Sequence, residues 1–354
     1  MRLTEAFRTQ GHACGALGSP FMARLMRLLA DRLTPDHGPV AARLFAWEGD
    51  VSAAGQSLPL RLAGGLHALL LHGHPCLAAV YPPRDVSDAA LWAAVSDTIR
   101  SETETLGHWL DSPPQTNELR RAAVLRAAGQ WLTARYGLPL ELLELGASAG
   151  LNLHWDRFAL VAGGQRFGPD PATLTLTPDW EGPLPPDTEP RIAARRGVDL
   201  APIDPIRDAL RLRAYTWPDQ PDRMARLHAA LALPPQTVDR ADAADWLEMR
   251  LAEPPTPGTC RLIAHTIAWQ YFPPDTAARA EDAIQRAGRA ATDATPLAWF
   301  GMEPDGTGPG AALTLRLWPG GTTQEAGRVD FHGRWVHWRL PQCATGPIRV
   351  DVIP

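Results

Sequence analysis

Apolar side chains recur at helical spacing through the first third of the chain. Phe21, Leu25, Leu28, Leu29 and Leu33 share one face with arginines between them. Gly64 to Leu71 and Asp88 to Leu110 repeat the pattern on either side of the loop at Tyr81-Pro82-Pro83. Residues 1–112 therefore read as a mainly helical region, and Pro113-Pro114 marks its end. Thr116 or Asn117 can cap the next helix, with Leu119 to Tyr136 as its body and Gly137 as its stop. The period then changes. Leu140, Leu142, Leu143 and Leu145 form an almost continuous apolar run, the mark of a strand buried on both faces of a parallel sheet. Shorter strand patterns end at Val198-Asp199 and cover Thr237–Arg240, Arg261–Thr266 and Pro296–Met302. Helical stretches over Asp204–Tyr215, Asp219–Leu233 and Asp275–Ala291 lie between them. Strands alternating with helices predict an α/β fold with a mostly parallel sheet and helices on both faces. Phe158 to Leu176 reads as a hairpin insertion around Gly163-Gly164. Leu313–Trp318 and Arg334–Leu340 read as a closing antiparallel pair, and the link from Pro304 to Gly310 leaves little room for a helix.

The stretch Leu140 to Asn152, L-E-L-L-E-L-G-A-S-A-G-L-N, organises the rest. An acidic residue, Glu144, stands near the end of the strand. A turn of small residues follows, Gly146, Ala147, Ser148, Ala149 and Gly150, and an amphipathic stretch runs from Leu151 to Phe158. Strand, tight turn and helix form a unit that presents backbone N–H groups to a ligand. Glycine at both ends lets the backbone bend and come close, and a carboxylate at the strand end can accept from a ribose or an amino group.

The pattern of an acidic residue followed by a glycine-rich loop resembles the first motif of class I S-adenosylmethionine (SAM)-dependent methyltransferases. The longer string from Glu144 to Leu153 resembles an uncharacterised bacterial family of that superfamily. So do P-Q-T-N-E (Pro114–Glu118), G-V-D-L-A-P-I-D-P (Gly197–Pro205), D-A-A-D-W (Asp242–Trp246) and A-W-Q-Y (Ala268–Tyr271). The resemblance covers nearly the whole chain. It implies a Rossmann-like sheet of seven strands over residues 113–354, with the N-terminal helices capping its cofactor end. It also implies SAM as cofactor, held by Glu144, the loop Gly146–Gly150 and Asn152, with Asp199 at the ribose and Asp242 at the adenine. Asp204 is the reserve for Asp199. Asn117 reads either as a cofactor contact or as a helix cap. His265, Trp269, Gln270 and Tyr271 follow from the resemblance as acceptor-side residues, with a core histidine and aromatic packing as the alternative. The acceptor expected is a small, partly planar molecule in a pocket between this loop and the N-terminal helices. Two other functions share the opening unit: a non-catalytic SAM or nucleotide binder, and an NAD-dependent oxidoreductase, which the absence of G-x-G-x-x-G disfavours.

Composition narrows the rest. The 354 residues carry a net charge of -5, which argues against a dedicated nucleic-acid binder. All 34 basic residues are arginine, so lysine Schiff-base chemistry and a P-loop lysine are excluded. Cys14, Cys76, Cys260 and Cys343 form no paired motif, which points to neither a zinc site nor a disulfide framework and suits a reducing cytoplasm. His72 and His74 lack a matching third ligand in sequence, so no metal is expected. No apolar run approaches the length of a membrane span.

Overall fold

The computed structural model describes residues 2–115 and 117–342, so Thr116 and Cys343 lie outside the described residues. The chain forms two compact units. One comprises Met1–Thr116 and Pro205–His228, the other Asn117–Asp204 and Ala229–Pro354. A later segment, Pro205–His228, groups with the N-terminal helices.

The helical unit is built from α1 (Leu3–Ala16), α2 (Pro20–Arg32), α3 (Pro39–Phe45), α4 (Leu58–Leu71), α5 (Pro75–Ala78), α6 (Asp88–Ser101) and α7 (Thr103–Leu110). The expected single helix from Asp88 breaks at Glu102, whose backbone leaves the helical region (ψ 44°). Ser19 caps α2 by accepting from Met22 N, and Pro20 occupies the first helical position. The inserted segment is bound by equally local chemistry. Asp219 Oδ2 accepts from Phe21 N at 2.9 Å, Trp217 joins the buried cluster of Leu25, Leu62 and Leu66, and His67 Nδ1 meets Ala214 O at 3.0 Å. These ties are why Pro205–His228 packs with helices far from it in sequence.

The second unit opens with α8 (Ala122–Tyr136), which ends in the left-handed Gly137. Then come β1 (Leu140–Leu145), β2 (Phe158–Ala162), β3 (Gln165–Phe167), β4 (Leu174–Leu176), β5 (Asp179–Glu181) and β6 (Ile192–Asp199). Two helices of the excursion, α9 (Ala209–Ala214) and α10 (Pro221–Leu231), precede β7 (Val238–Arg240), α11 (Ala243–Ala252), β8 (Cys260–Thr266) and α12 (Pro274–Ala290). β9 (Leu297–Glu303), β10 (Ala311–Trp318), β11 (Thr322–Val329) and β12 (Trp335–Trp338) close the series.

Among the described residues the main sheet has nine strands in the order β5-β12-β11-β10-β9-β8-β1-β6-β7. The half from β9 to β7 is parallel throughout, with β1 at its centre between β6 and β8. The half from β9 to β12 is an antiparallel meander. The fold is thus a mixed α/β fold with a large, mostly parallel sheet, and the expected count of seven strands is corrected to nine. The closing pair is corrected too: β11 lies between β10 and β12. Its sequence, T-T-Q-E-A-G-R-V, hides a strand because its buried side chains are only Ala326 and Val329. The hairpin around Gly163-Gly164 forms as expected and gains β4 as a third strand. Among the described residues no helix is long and apolar enough to cross a membrane.

One local departure bears on the site. The stretch after the small-residue loop is a six-residue 3-10 segment, Asn152–Arg157, rather than an α-helix. Arg195 explains it. Its guanidinium takes Leu153 O at 2.7 Å and clasps Asp156 at 2.6 and 2.9 Å, holding the turn to β6. Trp155 then drives into α8 at Gly129, where a Cβ would lie 2.3 Å from its Cη2. Gly129→Ala gains about 1 kcal/mol of helix propensity, but overpacking a filled core costs roughly 1–3 kcal/mol. We expect a net loss of stability in urea denaturation. A neutral or stabilised variant would show that Trp155 is not held against α8.

Candidate ligand site at the carboxyl edge of the parallel strands

The chain leaves β1 toward β6 on one side and β8 lies on the other, so the sheet reverses its winding beside β1. Open α/β sheets bind ligands at the carboxyl edge of such a point. Glu144 stands there opposite Gly197 of β6 and Ala264 of β8. It is buried, and its Oε2 has no hydrogen-bond partner among the described residues. Burial, reinforced by the Asp199 carboxylate and opposed by Arg121, pushes its pKa up to about 8. Asn152, also buried, donates Nδ2 to Glu118 O at 3.5 Å and leaves its Oδ1 without a partner among the described residues. A small cavity lined by Leu125, Leu142, Leu153, Trp155 and Leu262 adjoins both side chains.

The small-residue loop is tied down on every side. Gly146 has φ 67° and a Cβ there would sit 2.5 Å from Ala268 Cβ, so both conformation and packing demand glycine. Ala147 N donates to Val198 O, and Gly150 N to Ala147 O. Ala149 is buried beneath the turn. Ser148, left-handed at φ 53°, donates its N–H to Asp199 Oδ2 at 2.9 Å and accepts Asn117 Nδ2 on its hydroxyl at 2.7 Å. Asp199 Oδ1 accepts from Ala201 N at 2.9 Å. Glu144, the loop, Asn117, Asn152 and Asp199 thus form one neighbourhood. Asp242 caps α11, accepting from Ala244 N and Asp245 N, and takes the Thr276 hydroxyl at 3.0 Å.

A second cluster follows β8. His265 is 3% exposed, with Nδ1 2.7 Å from Glu303 Oε1. The same carboxylate accepts from Ala268 N at 2.9 Å, Trp269 N at 3.0 Å and Gln270 N at 3.4 Å. Burial alone would raise the Glu303 pKa, but His265 and these N–H groups together hold it below its ordinary value. Trp269 lies over His265 (ring centroids 5.0 Å) and against Trp299 and Phe272. Gln270 and Tyr271 are exposed. Ile267 holds φ 55°, a strained value for a β-branched residue and one that concentrates at functional sites.

The match to known families can now be set beside this geometry. A bacterial family described as "Uncharacterized protein conserved in bacteria (DUF2332)" matches residues 4–338. The chain belongs to that family. No curated protein matches it. In this DUF2332 protein the sequence pattern did not single out Glu303 or Arg121, whereas Glu118 stood beside Asn117 as either a capping residue or a cofactor contact. Glu303 had a signal: it follows an apolar run just as Glu144 and Asp199 end theirs. Arg121 had none, since its partners Thr266 O and Phe331 O lie far along the chain.

A carboxyl whose pKa is raised in the folded state contributes stability that is complete below its unfolded value, about 4.3, and is lost as pH rises toward the folded one. For Glu144 that loss runs up to about pH 8. Glu144→Gln should therefore gain stability over the wild type as pH rises through this window, by at most about 1.4 kcal/mol per pH unit. Urea denaturation at several pH values tests this, and parallel stability curves for the two proteins would contradict it.

Proposed function

We propose that this protein is a SAM-dependent methyltransferase acting on a small-molecule acceptor. The observation that carries the reading is a pair of carboxylates, Glu144 and Asp199, at the carboxyl ends of adjacent parallel strands, flanking a small-residue loop at the winding reversal. SAM would supply an electrophilic methyl group. The residues present fit it: the partnerless acceptors of Glu144 and Asn152 suit an ammonium donor. Each Asp199 oxygen, bonded to one backbone N–H, retains a lone pair for a ribose hydroxyl. Asp242 is given no adenine contact, because its carboxylate already caps α11 through Oδ1 and holds the Thr276 hydroxyl through Oδ2, which ties it to the helix packing. On the acceptor side, Gln270, Tyr271 and the outer face of Trp269 supply the accessible surface. His265, buried and pinned by Glu303, positions Trp269 rather than standing open as a base. Aligning an acceptor against the methyl group would supply much of the rate.

The six-residue 3-10 segment after the loop speaks against a dinucleotide, whose pyrophosphate uses the N-terminus of a full helix. Calorimetry with SAM, its demethylated product and NAD separates the readings. The first two should bind and NAD should not. NAD binding alone would overturn the proposal, and tight SAM binding with no label transferred from radiolabelled SAM to metabolite pools would favour a non-catalytic binder. Asp199→Ala should weaken SAM binding by roughly 1.5–3 kcal/mol, the worth of a hydrogen bond to a charged group. Trp269→Ala should leave SAM affinity intact and lower turnover. Unchanged SAM affinity in a folded Asp199→Ala protein would remove that residue from the site.

A further inference from the structure

The helical unit carries a charge imbalance of its own. Three guanidiniums gather at the carboxyl end of α7: Arg43 donates to Gly107 O at 2.9 Å, Arg61 to Leu110 O at 2.7 Å and Arg211 to Pro113 O at 2.7 Å. A helix carboxyl end offers about half a negative charge, and Asp111 adds one more, already paired with Arg43 at 2.6 Å. Arg61 and Arg211 have no carboxylate partner among the described residues. Arg61 is only 6% exposed, where a cation without a counter-charge is costly. Burial draws its pKa below the ordinary value; Tyr215 and Asp111 oppose that fall, while Arg211 and Arg43 add to it.

Tyr215 adds an unpaired donor at the same place. It lies one turn beyond Arg211, its N–H bonding to Arg211 O at 3.3 Å. Its ring packs on bare backbone at Gly64, where a Cβ would be 2.5 Å from Cε1, one turn along α4 from Arg61. The Tyr215 hydroxyl and Arg211 Nε are both buried without a hydrogen-bond partner among the described residues. Burial raises the phenol to about 12 even against the pull of Arg211 and Arg61, so the hydroxyl keeps its proton and can donate. The cluster therefore offers donors and positive charge.

We propose that Arg61, Arg211 and the Tyr215 hydroxyl bind a small tetrahedral oxyanion: inorganic phosphate, or the phosphate group of a phosphorylated metabolite. Donors from α4, from α9 and from the residue that follows α9 suit a tetrahedral ion. Two guanidiniums without an ion-paired carboxylate suit a dianion, and their planar forks favour phosphate. Arg211 is half-buried, so its side of the cluster is the route to solvent.

The test is a titration of the intact protein with inorganic phosphate at constant ionic strength, chloride replacing phosphate in the control, read by thermal shift and calorimetry. The wild type should show a saturable rise in Tm. Tyr215→Phe and Arg211→Gln should each weaken phosphate binding by about tenfold or more, the loss of a hydrogen bond to a charged group. Without phosphate, Tyr215→Phe should be at least as stable as the wild type, because it removes a buried hydroxyl that has no partner. A lost response in that variant is then not a folding defect. Glycerol 3-phosphate binding more tightly than phosphate would identify a monoester as the ligand, and the reverse order would identify the free ion. No saturable response in the wild type, or the same response in both variants, overturns the proposal.

Discussion

Parallel pairing of β1 between β6 and β8 is the constraint on which the candidate ligand site depends. Strands that run side by side in one direction bring their carboxyl ends to one edge, whatever their separation in sequence. Glu144, Asp199 and Thr266 reach that edge from segments more than fifty residues apart because backbone hydrogen bonds fix their register. Arginine extends the same logic to side chains. Arg261 pairs with Glu141 across β8 and β1 at 2.9 Å, and Arg195 locks the turn after β1 onto β6.

The edge is an expensive place for a carboxyl group, and the two there are handled in opposite ways. Asp199 is surrounded by backbone donors and serves as a brace for the loop. Glu144 receives no such help at Oε2 and is pushed toward its neutral form by burial and by Asp199. A pair whose environments differ in this way is a recurrent sign of a functional site. Glu303 shows another use of a half-buried carboxylate. It gathers successive N–H groups and a histidine, and so holds the strained turn at Ile267 in place.

The helical unit follows different rules. Its core is a continuous apolar cluster rich in leucine, and its polar features include capping groups and arginines at helix ends. The excess of arginine over carboxylate at the end of α7 is a local electrostatic fact that no pattern of apolar residues could reveal.

The sequence by itself determined the elements whose burial is periodic or complete. The N-terminal helices, α8 with its Gly137 stop, β1, β8, β9 and the loop glycines were legible because their side-chain period or backbone demands are local. Membership of the family was legible too, through the string from Glu144 to Leu153. Only the tertiary structure decided the rest. β11 is short of large apolar residues and exists because β10 and β12 flank it. The segment after the loop turns as a 3-10 helix because Arg195 and Trp155 pull it to distant partners. Pro205–His228 leaves the sheet unit because Asp219 and Trp217 find their partners among the helices. Asp242 became a cap for the N–H groups of Ala244 and Asp245, and Glu303 and Arg121 became central through contacts made across the sheet. Such contacts are set by where strands lie in space, and a linear pattern carries information only about neighbours along the chain.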